Sequence, residues 1–509
     1  MNSKRKSSAI SEEEREEKQP RAVVRPKMRQ DLLHDSAVQK LQNAWENSNS
    51  EIKGVASRHS ERDACVPDDD VEVIGDPFRI CVLKRFLSDA RLCGALKDSF
   101  LELSLQRKES DLFSFYQSED LSTIDDPEVA ELLDFLETEC RDWVRRVTGL
   151  ALDGGVSATL SVYDHGDHLL CHDDKFEDRC VAFILYLNTD WRPHFGGELQ
   201  IFNTHDSNLP KEVVRSILPE NNTFVFFEVA DNSFHQVAEV LVENDLRVTV
   251  NGWFHGAGEM AAVPAPVYPT HPGPRDLAVP PVSAEGTKLE DFVASEYLSQ
   301  RSEFRSQFEA DSEMILPSFL RKDMYDQIAE ELCQSGVAWS PLYLPDHRRY
   351  EVLEAGDAGG SLRRLLHLLG SSSFFSFLED LTGLSLTPGA GPVASGSQAG
   401  SGAPAGPRGH CEVQRWRSGC YSLAKDSDFQ LPSGVLEVRL FFNCGGVSDD
   451  GEGSITYIAA NEEEKLLSVE PVDNMAACVY RDDGTATFVK YITSKYSGLH
   501  HVISCSYFE

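Results

Sequence analysis

Residues 169–188 read LLCHDDKFEDRCVAFILYLN. Two short apolar, β-rich runs, Leu169-Leu170-Cys171 and Cys180–Leu187, flank a polar segment that opens His172-Asp173-Asp174. In a strand, residues i and i+2 share a face, so His172 and Asp174 are expected to reach one ion while Asp173 points away. A carboxylate at the edge of an apolar run is costly unless something pairs with it, and a divalent cation would. Further along, Phe234-His235-Gln236-Val237 has the extended character needed to bring a second imidazole from a distant strand. Two imidazoles and one carboxylate are the facial set that holds non-haem Fe(II) and leaves coordination positions open. A co-substrate and dioxygen can then share the metal, so oxygenase chemistry is expected of His172, Asp174 and His235.

Zinc competes for such ligands. Arg247 argues against it. It opens the alternating run Arg247-Val248-Thr249-Val250-Asn251, which puts a permanent cation on one strand face, where it needs an anion. A dicarboxylic co-substrate supplies one: one end chelates the metal and the distal carboxylate pairs with the guanidinium. Tyr186 closes another strand-like run and is placed either to donate its hydroxyl to that carboxylate or to serve as a core aromatic. His165-Gly166-Asp167 also fits His-x-Asp, but Gly166 suits a turn and the pair precedes the apolar run, so it reads as a decoy.

Outward from this region, amphipathic helices come first and strands follow. Glu128–Val147 spaces Val129, Leu132, Leu133, Leu136 and Val144 for one helix face. Brief β-rich runs follow at Cys180–Leu187, Glu198–Phe202, Thr223–Val229 and Arg247–Phe254, and helices supporting an antiparallel β-roll is the economical α+β fold for that order. The same signals recur later at a constant offset. Phe86-Leu87 returns as Phe319-Leu320, the helix ending in Thr148-Gly149-Leu150 returns as Leu362–Leu381 ending in Thr382-Gly383-Leu384, and Gly166, Asn188 and Phe254 return as Gly419, Asn443 and Phe508. The offset steps up once, where a Gly/Ala/Ser/Pro-rich insert lies, so an internal duplication is expected. In that alignment Lys425 falls opposite His172, Ser427 opposite Asp174, Val489 opposite His235 and His501 opposite Arg247. A lysine, a serine and a valine cannot hold Fe(II), so the second copy is expected to lack the metal site.

The resulting division is a disordered tail over 1–60, with room for one short helix, and a catalytic domain over 61–263. A Pro-rich linker over 264–287 and a metal-free domain over 288–509, with a low-complexity insert at 387–409, complete it. Lys+Arg number 48 against 83 Asp+Glu, a net charge of −35. Such a surface repels phosphate backbones, which disfavours direct binding of nucleic acid, and attracts basic partners. The twelve cysteines form no Cys-x-x-Cys motif, and no apolar run reaches the length of a membrane span, so a reducing setting away from the membrane is expected. Lys4-Arg5-Lys6, with Arg21, Arg25, Lys27 and Arg29, is a candidate nuclear import signal.

Cys171–Asp174, Arg179–Asn188 and Gly196-Gly197-Glu198-Leu199 together resemble the prolyl hydroxylase branch of the Fe(II)- and 2-oxoglutarate-dependent oxygenases. With Asn222–Val229, Phe234–Val237 and Arg247–His255, the chain from about residue 70 to its end is similar to the ribosomal prolyl 3-hydroxylases of eukaryotes. The resemblance implies two tandem double-stranded β-helix (jelly-roll) domains, only the first catalytic. It makes His172, Asp174 and His235 the iron ligands, and Tyr186 and Arg247 the 2-oxoglutarate contacts. It further implies L-ascorbate as an accessory reductant and C3 hydroxylation of a prolyl residue in a basic, small-subunit ribosomal protein. Roles in translation and the stress response, in cytoplasm and nucleus, and translation factors as further partners, also follow from it. The competing readings are an oxygenase acting on lysyl, aspartyl or methylated residues with the same five side chains, and a non-enzymatic scaffold.

Overall fold

The computed structural model describes residues 23–48, 70–176, 178–256, 275–276, 288–354, 358–386, 409–430, 434–445, 451–460 and 465–509. The basic cluster Lys4-Arg5-Lys6, nearly all of the Pro-rich linker and residues 387–408 of the insert lie outside them. The architecture is mixed α/β with two separate 12-stranded sheets. The first runs, in hydrogen-bonded order, Val71–Ile74, Ile80–Leu83, Thr223–Glu228, Arg179–Tyr186, Arg247–His255, Gly155–Tyr163, Phe113–Gln117, His168–His172, His235–Val237, Leu199–Thr204 and Pro210–Ile217. The second runs Glu313–Leu316, Ala476–Arg481, Val435–Phe442, Leu499–Phe508, Gly409–Arg417, Arg348–Leu353, Tyr421–Ser422, Thr485–Val489, Ile455–Ala459 and Lys465–Val469. From Ile80–Leu83 onward, the first sheet takes up its strands in the same succession as the second. Each has one strand off this path, Gln106–Glu109 and Trp339–Leu344, at the same relative place; Arg275–Asp276 adds to the second.

Both sheets curl on themselves. Leu199 and Ile201, near one end of the first order, pack against Ile80, Val225 and Phe227 near the other. Alternation along each strand sends the opposite set outward: Phe183, Leu185, Phe224, Val248 and Val250 meet the helices in a separate core.

The helix ends are set locally. Asp126 caps Pro127–Phe135 by accepting from the amides of Glu128 and Val129, with Pro127 in the first turn. The helix passes through a π-turn at Leu136–Cys140 and ends at Thr148, where Gly149 takes a φ of 73°. In the second half the expected single helix over Leu362–Leu381 is two, Gly360–Leu369 and Ser372–Thr382. Gly370 ends the first, and Ser371 starts the next by accepting from the amide of Phe374. Gly383, with φ 80°, closes it as Gly149 does. Thr148 and Thr382 each donate their hydroxyl to the carbonyl four residues back, Val144 at 2.9 Å and Leu378 at 2.7 Å.

Two asparagines repeat a staple between the end of one strand and the start of the helical layer. Asn222, at φ 54°, exchanges side-chain hydrogen bonds with both backbone groups of Leu87, at 2.8 and 2.9 Å. Asn474, at φ 56°, does the same to Leu320, at 2.9 and 2.8 Å. A short polar side chain is among the few that tolerate this left-handed backbone while satisfying two buried backbone groups.

The mobile tail expected over 1–60 does not hold for residues 28–48. Asp35–Asn47 is a helix, and Met28, Leu32, Val38, Leu41 and Trp45 are buried in the first core. Trp45 stacks on Phe226 at 5.4 Å, and Trp143 donates its indole N–H to the carbonyl of Leu32. Burying one large aromatic there outweighs the polar flanks that make the segment read as a tail.

The second half covers the outer face of the strands that carry the candidate ligands. Leu170 clusters with Tyr421 and Leu423, while Tyr343 packs on Cys171, Phe202 and Phe234. Glu239 accepts from the amide of Ser494 at 2.7 Å and from the hydroxyl of Tyr491 at 3.2 Å. Asp111 accepts from the amide of Ala424, and Lys490 pairs with Glu109.

Candidate metal and co-substrate site

His172 ends its strand, and His235 begins the strand paired with it, so the two residues stand directly across from each other. Their rings lie 4.2 Å apart, centre to centre. Asp174 is not on the strand, as i, i+2 alternation suggests, but beyond it. It reaches back through a left-handed backbone at φ 62°, a conformation that aspartate tolerates better than most residues. Its Oδ1 is 3.4 Å from Nε2 of His172 and its Oδ2 is 3.4 Å from Nε2 of His235. Among the described residues these three form the one group of His, Cys, Asp or Glu placed to share an ion, with donor atoms within 4.8 Å of one another.

Both imidazoles are oriented from behind. Nδ1 of His172 bonds the carbonyl of Leu170, and Nδ1 of His235 bonds the carbonyl of Ser233, each at 2.8 Å. With Nδ1 as donor, Nε2 carries the lone pair and faces the shared space, as a metal ligand must. Burial works to raise the Asp174 carboxyl, but the two imidazoles overcome it and hold the group well below the usual carboxylate range. Burial works to lower His172, and Asp174 reverses that. An ionised carboxylate between two imidazoles, all largely buried, is a donor set that a divalent cation completes.

Arg247 and Tyr186 lie on the inner face of the same curled sheet, 1% and 0% exposed. Phe227 links the two parts of the site. It packs in one cluster with Tyr186 and meets the ring of His235 edge-on at 4.7 Å. Nε of Arg247 donates to the carbonyl of Gly197 at 2.7 Å, which fixes the guanidinium plane. Nη2 of Arg247 and Oη of Tyr186 are buried without hydrogen-bond partners. A buried guanidinium with no counter-ion is among the costliest arrangements a protein can hold. A carboxylate set against both groups would satisfy them, so the residues fit Fe(II) with a chelating dicarboxylate. Gly197 is required there: at φ 71°, a Cβ would stand 2.9 Å from Cδ of Arg247.

Sequence reasoning missed Tyr163. Its ring lies under the guanidinium at 4.8 Å, and strand register places it directly opposite Arg247. That register was the signal. His165 and Asp167 stay apart from the site: Asp167 is 3% exposed and held by both terminal nitrogens of Arg107, at 2.9 and 2.8 Å.

In the second sheet, register pairs Ser422 with Val489 as it pairs Leu169 with Val237. Lys425, three residues beyond Ser422 as His172 is beyond Leu169, therefore takes the place of His172 as expected, while Thr487, not Val489, takes that of His235. Likewise Trp416 opposes His500 as Tyr163 opposes Arg247, so His500, not His501, stands at the arginine's place. Alternation is the physical reason: His501 faces the helical side, against Trp339 and Asn443, while His500 faces inward and bonds Tyr496.

Comparison with known proteins gives a consistent result. Residues 158–255 match the 2OG-Fe(II) oxygenase superfamily, and residues 284–508 match the family described as oxoglutarate and iron-dependent oxygenase degradation C-term. The prolyl 3-hydroxylase OGFOD1 of Xenopus laevis is 33% identical over 82% of this chain and 84% of its own. The protein of the same name from Mus musculus is 31% identical over 82% and 85%. The prolyl 3-hydroxylase sudestada1 of Drosophila melanogaster is 33% identical over 92% and 88%.

Proposed function

The chain belongs to the prolyl 3-hydroxylase family of Fe(II)- and 2-oxoglutarate-dependent oxygenases, and from that premise we propose that it hydroxylates C3 of one prolyl residue in a small-subunit ribosomal protein. Prolyl hydroxylation with Fe(II) and 2-oxoglutarate is the activity of the family. The observation that carries the site assignment is the His172-Asp174-His235 triangle beside two buried, partnerless groups, Tyr186 Oη and Arg247 Nη2.

In this reading His172, Asp174 and His235 hold the iron, while Arg247 and Tyr186 take the distal carboxylate of 2-oxoglutarate. When bound, iron and co-substrate supply the oxidising chemistry that an unactivated C–H bond requires. The protein's part is orientation and exclusion of water. Leu170 and Ser233 carbonyls set both ring tautomers, Gly197 fixes the arginine plane, and burial of Tyr186 and Arg247 strengthens their grip on a carboxylate. L-Ascorbate serves as the accessory reductant. A net charge of −35 suits a basic ribosomal substrate, and action on translation and the stress response, in cytoplasm and nucleus, follows from that substrate.

The second half, within 288–509, acts as a second double-stranded β-helix without a metal, joined to the catalytic unit of 61–263 by the 264–287 linker. The common strand succession, the paired asparagine staples and the paired Thr-Gly helix ends support one fold used twice. Lys425 and Thr487 at the places of His172 and His235, and His500 at that of Arg247, support the loss of the metal.

The test is mass spectrometry of prolyl peptides from small-subunit ribosomal proteins, treated with the chain, Fe(II), 2-oxoglutarate and ascorbate. One added oxygen at C3 of a single proline, absent with Asp174→Ala, is the expected result. Consumption of 2-oxoglutarate with no peptide oxidised removes the ribosomal substrate. If neither is seen and cells lacking the protein are rescued by Asp174→Ala, the chain is a scaffold.

A further inference from the structure

At the mouth of the second sheet's curl, a cavity of about 230 Å³ opens between strands from both layers. Its lining includes Thr487, at the place of His235, and Trp416, at that of Tyr163. Phe441, Trp416 and Val502, at the places of Tyr186, Tyr163 and Thr249, pack in one apolar cluster, and His500 stands at that of Arg247. The mouth is charged instead. Register places Ser504 between Glu412 and Arg439, where the first sheet has Asn251 between Thr159 and Ile184. Two neutral positions of the first half are thus a carboxylate and a guanidinium in the second.

Most charges in this cavity are matched. Glu437 bonds Arg439 at 2.8 Å and lies 3.1 Å from Arg481, and Asp428 lies 3.4 Å from His347. Two are not. Among the described residues, Arg348 and Glu412 each line the cavity and make no ion pair, although they are of opposite sign. Arg348 meets the ring of its neighbour His347 and the hydroxyl of Tyr350, both neutral, and its Nε is buried without a partner, as is Nε of Arg439. Glu412 accepts from two neutral donors, Tyr350 Oη at 3.0 Å and Gln414 Nε2 at 2.6 Å. Gln414 is itself held by the indole N–H of Trp416, and the rings of Trp416 and Tyr350 stack at 4.7 Å beside the carboxylate. A carboxylate against an aromatic wall is a site for an ammonium group. A guanidinium with a free edge is a site for a carboxylate.

We propose that this cavity binds a small zwitterion of free α-amino-acid size, its carboxylate on Arg348 and its ammonium on Glu412. The volume is below the roughly 300–1,000 Å³ of pockets for drug-sized ligands, which fits a metabolite of few atoms. A simple anion would leave Glu412 unpaired and meet repulsion from Asp428. A simple cation would leave Arg348 unpaired. One molecule with both charges satisfies both side chains at once.

The test is isothermal titration calorimetry on the full chain with 2-oxoglutarate saturating, so that Arg247 is occupied. The probes are the twenty free amino acids at millimolar concentration, with propionate and ethylamine as single-charge analogues. At least one amino acid is expected to bind about tenfold or more tightly than either analogue, the effect of one charged hydrogen bond. Glu412→Gln, which keeps the shape and both neutral contacts, is expected to lose that advantage and leave propionate unchanged. Arg348→Gln is expected to weaken both. The inference is overturned if no amino acid gives heat with the unmodified chain, if propionate binds as well as the best amino acid, or if Glu412→Gln binds it as before.

Discussion

The inner faces of the two sheets, taken at matching register, share almost no side-chain chemistry. Arg247 opposite Tyr163, and Thr249 opposite Tyr186, become His500 opposite Trp416, and Val502 opposite Phe441. The backbone devices, by contrast, are the same to within a few tenths of an ångström: Asn222 and Asn474, Thr148 and Thr382, Gly166 and Gly419 at φ 88° and 87°. The residues that make the curl and the residues that make the site are therefore separate sets, and one can change while the other stays.

That comparison breaks most sharply at the ligands. Asp174→Ala is expected to abolish iron binding and turnover, a loss beyond the 10–100-fold typical of groups behind a metal ligand. Thr487→Ala, at the place of His235, should leave both intact. Iron stoichiometry and succinate release measure it, and two irons per chain would sink the contrast. The staples should show the opposite pattern, with both halves equally vulnerable. Asn222→Ala and Asn474→Ala each leave two backbone groups without partners, at about 1–3 kcal/mol per group, seen as lower denaturant midpoints for the half concerned. A large cost in one half and none in the other would mean the staples are not equivalent.

A finer cut comes from the inward-facing pair. Arg247→Ala should raise KM for 2-oxoglutarate about ten- to a hundredfold, the worth of a charged hydrogen bond. His500→Ala should leave KM alone. The smallest effect is expected at the junction. Glu239→Gln retains the side chain's shape but weakens its bonds to Ser494 and Tyr491, at a cost of about 1 kcal/mol. Differential scanning calorimetry should then resolve two transitions less tightly coupled than in the parent chain. A single unchanged transition would show that Leu170, Tyr421 and Tyr343 hold the halves without it.

Much of this was legible because the signals are positional. His172, Asp174 and His235 sit next to apolar runs, and the structure brings them together. Three things were not legible, for three physical reasons. The helix Asp35–Asn47 has sparse apolar positions among polar ones, and its burial depends on Trp45 finding Phe226 across the core. The asparagine staples are single polar residues with no periodicity, and only their φ near +55° marks them. The choice between His500 and His501 turns on one residue of register, which flips every side chain to the other face and which spacing alone does not resolve.

The junction has a consequence in time. The strands bearing His172 and His235 are made early, yet Tyr343, Tyr421 and Leu423, which cover the outer sides of Leu170, Cys171 and Phe234, lie well downstream. At ordinary elongation rates the roughly 250 residues after the first sheet take on the order of ten to fifty seconds to appear. For that interval the nascent first half has every residue of its site but an apolar flank bare to the cell. A chaperone that shields that flank would have to leave before the second half could dock.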